Sequence, residues 1–186
     1  EHGRELSGDH LLAICARHMK DTGKLKNNLA IITPMSNFGL RKAFDEMKIA
    51  WEDAPVGDRN VLELMKKRGA VFGGEQSGHL IFLDHHTTGD GIISALQLLA
   101  VLQLTGKKAS ELAKIVKVAP QRLINVPVRK KPPLEKIKSL QQAIQAAEKK
   151  LADQGRVLVR YSGTELICRV MVEGPTKKLT NQLAEQ

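Results

Sequence analysis

Two short stretches of this 186-residue chain gather side chains suited to polar ligands. The first is Gly73-Gly74-Glu75-Gln76-Ser77-Gly78-His79, which offers a carboxylate, a hydroxyl and an imidazole from one tight bend. Glycines let a ligand approach the backbone closely, and an ionised Glu75 can accept two hydrogen bonds from neighbouring hydroxyls, as holding a sugar requires. The second is Arg160-Tyr161-Ser162-Gly163-Thr164-Glu165, with Arg169 five residues past Thr164. Small hydroxyl residues around a glycine make a concave nest of donors, and flanking arginines add bidentate charge, a combination that suits a phosphate dianion. Pattern alone leaves both open. The first also reads as a plain glycine-rich turn, and the second as a hairpin loop with exposed basic residues. The first does not match the phosphate fingerprints built on spaced glycines.

Other residue types exclude more than they suggest. Asp84-His85-His86 and Asp90 have the chemistry of metal ligands, but adjacent residues rarely point at one ion, so they read as a connecting loop. Cys15 and Cys168 lie far apart with no partner at zinc-ligand spacing, which reads as two reduced, buried thiols in a cytoplasmic protein. No apolar run reaches the roughly 18 residues of a membrane span. The opening Glu1-His2-Gly3-Arg4 shows neither a signal-peptide core nor an initiator Met, so the sequence is expected to begin in mid-protein or after processing. A net charge of +9 points to an anionic ligand and raises nucleic acid as an alternative partner. One Trp, one Tyr and four Phe supply few stacking platforms, which weighs against that alternative.

The elements that must position these groups follow from periodicity. Ser7 caps an amphipathic helix carrying Leu11, Ile14, Cys15 and Met19 on one face, and Gly23 stops it. The apolar run 29–32 reads as a buried strand, followed by a helix from Ser36-Asn37 to Met47. The order then repeats, with a strand over 49–51, a helix capped by Asp58 and holding Val61, Leu62 and Met65, and a strand from Val71. A strand over 80–83, a polar loop over 84–91, an apolar helix over 92–104 and a short helix over 110–116 complete a layered α/β domain, 1–117.

Pro120 and the changed pattern beyond it mark a linker at 117–120. The second domain, 118–186, reads as β-α-β-β-α: a strand over 123–128, a helix starting at Pro133 and ending at Gly155, strands over 156–160 and 167–172, and a helix from Thr176. This predicts an α+β open-faced sheet with its helices on one side. The last helix is expected to run off the end at Gln186, implying a truncated C-terminus.

In order along the chain, Gly-Glu-Gln-Ser-Gly-His and Arg-Tyr-Ser-Gly-Thr-Glu resemble the sugar-binding and phosphate-binding loops of the phosphoglucosamine mutase family within the α-D-phosphohexomutase superfamily. Supporting stretches are Met35-Ser36-Asn37, Val56-Gly57-Asp58-Arg59, Thr87-Thr88-Gly89-Asp90-Gly91 and Arg169-Val170-Met171-Val172-Glu173-Gly174, so the resemblance spans essentially the whole chain. It implies the two C-terminal domains of an isomerase that interconverts glucosamine 6-phosphate and glucosamine 1-phosphate through a bisphosphate intermediate. By the same resemblance, Glu75 and Ser77 hold sugar hydroxyls with His79 in support, while Arg160, Ser162, Gly163, Thr164 and Arg169 hold the phosphate that is not being transferred.

Arg59 matches a loop near the substrate; without the resemblance it reads as helix capping and surface charge. Leu166 stands where the family usually has proline, and Tyr161 where Lys or Pro is common. The reactive phosphoserine and the aspartate loop for Mg2+ belong to missing N-terminal domains, so this stretch is expected to bind phosphosugar, to hold no metal and to be inactive alone. Both loops are expected to face one cleft, with phosphosugar as the partner and neither nucleic acid nor membrane.

Overall fold

The computed structural model describes Gly3 and residues 5–186; Glu1, His2 and Arg4, part of the reading of the N-terminus, lie outside the described residues. Two compact units follow one another, the first ending at Val118 and the second covering Ala119–Gln186.

In the first unit, α1 (Gly8–Asp21) begins after Ser7, whose backbone N–H donates to His10 Nδ1 at 3.3 Å while its hydroxyl pairs with the same nitrogen at 2.9 Å. Burial lowers the His10 pKa, which keeps the ring neutral and able to accept. Then come β1 (Leu29–Ile32), α2 (Phe38–Glu46), β2 (Ala50–Asp53), α3 (Asp58–Arg68), β3 (Phe72–Gly74), β4 (Leu80–Phe82), α4 (Gly91–Thr105) and α5 (Ala109–Leu112). The sheet order is β2-β1-β3-β4, with β2, β1 and β3 parallel and β4 antiparallel. Because successive β1 side chains point to opposite faces, Ala30 and Ile32 join Leu12, Leu40, Phe44 and Phe72 in one core, and Ile31 joins Val61, Met65 and Ile81 in another. Three layers result, with β1 buried on both faces.

Two local expectations change. Asp58 is the first residue of α3 rather than its cap; Gly57 takes the cap position at φ 122°, a conformation that glycine adopts readily. The short helix near 110–116 is α5 followed by a 3-10 turn over Ala113–Ile115. The outer side of α4 leaves Ile92, Leu96 and Leu104 exposed.

The second unit has β5 (Gln121–Pro127), α6 (Lys138–Leu151), β6 (Arg156–Tyr161), β7 (Ile167–Glu173) and α7 (Lys177–Ala184). Its sheet is antiparallel in the order β5-β7-β6. Ala147 and Leu151 of α6 and Leu183 of α7 share a core with Val157, Val170 and Val172, so both helices cover the same face. The expected long helix from Pro133 is broken. Leu134–Lys136 forms a 3-10 turn closed by Ile137 N–H to the Leu134 carbonyl at 3.2 Å, and α6 begins only after Ile137, whose backbone is extended. The last helix ends at Ala184, where the Glu185 N–H returns to the Asn181 carbonyl, two residues before Gln186. With a layered α/β unit and a small antiparallel sheet under two helices, the architecture is the α/β plus α+β pair that the sequence predicts.

Candidate functional site

In an open parallel sheet, a crevice forms where connections from a central strand depart in opposite directions. Here β1 is that strand: its neighbours are β2 and β3, and helices flank both faces. The loops beyond the C-terminal ends of β1, β2 and β3 supply Met35, Val56 and Glu75, which line one hollow of about 650 Å³. Ser77, Gly78 and His79 line the same hollow, so the fold brings the carboxylate, hydroxyl and imidazole of the bend together.

The bend is held tightly. Gly78 N–H donates to the Glu75 carbonyl at 3.0 Å, and Glu75 N–H to the His79 carbonyl at 3.1 Å. Ser77 Oγ pairs with His79 Nδ1 at 3.0 Å, so the imidazole and the hydroxyl of the bend are in contact. Glu75 Oε1 accepts the Gly57 N–H at 3.0 Å, which ties the loop before α3 to the bend. Its Oε2 meets no donor among the described residues and remains available to a ligand. From below, Gly8 N–H donates to the Gln76 carbonyl at 3.0 Å, anchoring the bend on the first residue of α1.

Arg59 does not join this group. It occupies the first turn of α3, its side chain is 87% exposed, and it pairs with Glu63 on its own helix at 3.0 Å. A larger hollow of about 700 Å³, walled by His10, Leu102, Lys108, Lys114 and Val116, contains none of the bend's residues.

In the second unit, β6 and β7 place Arg160 directly opposite Arg169. Alternation puts both on the face away from α6 and α7, because their neighbours Val159 and Val170 point the other way. Two guanidinium groups thus sit side by side on adjacent strands, next to the loop that joins them. Glu165 compensates in part, accepting from Arg169 Nη2 at 3.2 Å, while the buried Arg169 Nε has no partner.

Ser162, Gly163 and Thr164 sit in the loop that joins these strands. Ser162 is 4% exposed, and its hydroxyl oxygen accepts the Glu165 N–H at 3.3 Å, shaping the turn from within. Gly163 and Thr164 are exposed, and a Cβ on Gly163 would meet nothing within 4 Å. The structure adds a residue that sequence reasoning missed: Lys131 Nζ donates to the Ser162 carbonyl at 2.6 Å. Within the basic run Arg129-Lys130-Lys131, nothing in the sequence singled it out.

Two of the residues that suggested a metal, His85 and Asp90, have other contacts. Asp90 Oδ1 caps α4 by accepting the Ile93 N–H at 2.8 Å, and His85 Nε2 lies 3.0 Å from Gln97 Nε2. Among the described residues no three His, Cys, Asp or Glu side chains converge as ion ligands. Nor is any helix among them long and apolar enough to cross a membrane.

Comparison with known proteins agrees with this architecture. Residues 7–118 match the model of phosphoglucomutase/phosphomannomutase alpha/beta/alpha domain III, and residues 123–186 match the C-terminal domain of the same proteins. The whole chain aligns at 52% identity with a phosphoglucosamine mutase of Syntrophobacter fumaroxidans, covering 41% of that relative. A phosphoglucosamine mutase of Chlamydia trachomatis is 48% identical over 185 residues, of which the chain covers 40%. The chain therefore spans about two fifths of the length of these relatives. An N-acetylphosphoglucosamine mutase from Aspergillus fumigatus superposes with a TM-score of 0.84 over 98% of this chain and 42% of its own, at 21% identity. With both of its units matched in order, the chain belongs to the phosphoglucomutase/phosphomannomutase family, as its domain III and C-terminal domain.

Proposed function

We propose that the longer protein containing these residues interconverts glucosamine 6-phosphate and glucosamine 1-phosphate, and that this chain supplies the two grips on the sugar phosphate. Glu75 Oε2 and Ser77 Oγ take ring hydroxyls, with His79 holding Ser77 in place. Arg160, Arg169, Thr164 and the Gly163 N–H take the phosphate that is not being transferred, on a loop shaped by Ser162. A bisphosphate intermediate that turns over between two transfers needs grips able to accept either end. A carboxylate for hydroxyls and an arginine pair for phosphate meet that need, because they position the reacting end without touching it.

The observation that carries this reading is the in-register Arg160 and Arg169 pair next to an exposed Gly163-Thr164 tip. The phosphoryl-donating serine is assigned to residues outside these 186, so the chain alone binds without turnover. Magnesium belongs to the same assignment: one Aspergillus fumigatus relative was solved with GlcNAc-6P and magnesium, and among the described residues no three His, Cys, Asp or Glu side chains gather as ion ligands. The two buried, unpaired thiols support a reducing, cytoplasmic setting.

Calorimetric titration with glucosamine 6-phosphate tests the reading. Arg160→Ala should weaken binding about tenfold or more, as expected for a lost charge-assisted contact. Lys149→Ala, on the exposed side of α6, should leave it within about twofold. Equal losses in the two variants would remove the phosphate grip from the second unit.

A further inference from the structure

The geometry points to Lys131 as the positioning residue that aims the Gly163 N–H, and this inference rests on the phosphate reading above. Lys131 Nζ donates to the carbonyl oxygen of Ser162 at 2.6 Å, across 31 residues of chain. The peptide joining Ser162 to Gly163 is planar and trans, so its C=O and N–H point in opposite directions. Fixing the oxygen towards the ammonium fixes the Gly163 N–H away from it.

The loop has few other constraints at this point. Ser162 N–H donates to the Ile167 carbonyl at 3.0 Å and Ser162 Oγ accepts the Glu165 N–H, so the loop is held at both shoulders. Gly163 itself is exposed, and a Cβ there would meet nothing within 4 Å. Glycine rotates about φ and ψ with little steric resistance. Without a tether on the preceding carbonyl, the N–H would sample many directions, and ordering it would oppose binding.

Lys131 is placed for the task by the edge of the sheet. After β5 ends at Pro127, Val128 N–H still donates to the Leu166 carbonyl at 2.9 Å, extending the pairing with the strand that leaves the loop. Three residues later the long side chain reaches over the loop, where its charge makes the contact to the carbonyl stronger than a neutral one. Since the carbonyl takes the ammonium and the N–H faces the other way, Lys131 acts through the peptide plane rather than as a phosphate ligand.

The test is 15N-1H NMR titration of the chain with inorganic phosphate and with glucosamine 6-phosphate, following the amide of Gly163. Lys131→Met should weaken binding of both ligands about tenfold and abolish the large phosphate-induced shift of Gly163, while the thermal transitions of the two units stay in place. Lys131→Arg, which can donate to the same carbonyl, should restore affinity to within about threefold. Unchanged affinity and an unchanged Gly163 shift in Lys131→Met would overturn the inference and leave the phosphate reading intact. Absence of phosphate binding in the unaltered chain, with glucosamine 6-phosphate also silent, would defeat the phosphate reading and this inference with it.

Discussion

Replacing Gly8 by alanine should cripple the bend around Glu75, whereas the same replacement at Gly91 should be harmless. Both glycines are first residues of long helices, α1 and α4, and neither requires a positive φ. They differ in surroundings. A Cβ on Gly8 would lie 2.7 Å from both the Gln76 carbonyl oxygen and the Gly78 nitrogen, and nearer still to the carbonyl oxygen of Glu75. All three are backbone atoms, so the bend must shift as a body. Overpacking of this kind costs about 1–3 kcal/mol. Losing the bond from Gly8 N–H to the Gln76 carbonyl adds about 1 kcal/mol. Against this stands alanine's helix preference, at most about 1 kcal/mol. The net for Gly8→Ala is a loss of about 1–4 kcal/mol. At Gly91 a Cβ would meet nothing within 4 Å, leaving only the small gain. Trp51, the one tryptophan, lies in β2, so its fluorescence follows unfolding of the first unit alone. The Gly8→Ala midpoint should fall by about 10 °C, with glucosamine 6-phosphate binding weakened in parallel. If the two variants unfold within about 1 kcal/mol of each other, the close approach between α1 and the bend is not real.

Further outcomes concern Glu75 and the two cysteines. Glu75→Gln keeps an oxygen for the Gly57 N–H, so stability should hold within about 0.5 kcal/mol while sugar affinity drops about tenfold. Glu75→Ala loses that tie as well and should cost about 1–2 kcal/mol in the fluorescence-monitored transition; identical stability in the two variants would show that the tie to Gly57 contributes nothing. Burial pushes the Cys15 thiol up to about 12 from 9.0, and burial also raises Cys168. The folded state therefore holds these protons more tightly than the unfolded chain, and the stability this confers is full below pH 9.0 and is lost as pH rises towards 12. A thiol reagent at pH 8 should label neither cysteine in folded protein and both in guanidinium; rapid labelling of Cys15 in the folded state would contradict its burial.

How much of this was legible in the sequence depended on the range of the contact. The parallel strands and their helices announced themselves because each is a local pattern: β1 is a four-residue apolar run and α1 an apolar stripe stopped near Gly23. The broken start of α6 was hidden, because Leu134 falls on the same apolar stripe whether a 3-10 turn or an α-helix carries it. Asp58 was misread for a related reason. Aspartate is a good cap by type, but the left-handed backbone at Gly57 places the cap one residue earlier. The bends around Glu75 and Ser162 were visible as clusters of polar types. Their supports were not, since Gly8 meets Gln76 across 68 residues and Lys131 meets Ser162 across 31. No periodicity encodes a contact at that distance.

The two loops solve opposite physical problems. Glu75 commits one carboxylate oxygen to the scaffold, accepting the Gly57 N–H, while the other meets no donor among the described residues. On the sugar reading proposed above, ring hydroxyls would meet a carboxylate already oriented by that bond. Arg160 and Arg169 instead lie directly opposite each other on adjacent strands, with Glu165 paired to Arg169. On the proposed phosphate reading, a dianion placed beside two cations on neighbouring strands gains charge-assisted contacts to both. On the reading proposed above, the bend recognises hydroxyls and the arginine pair recognises charge, each by means of contacts built within its own unit.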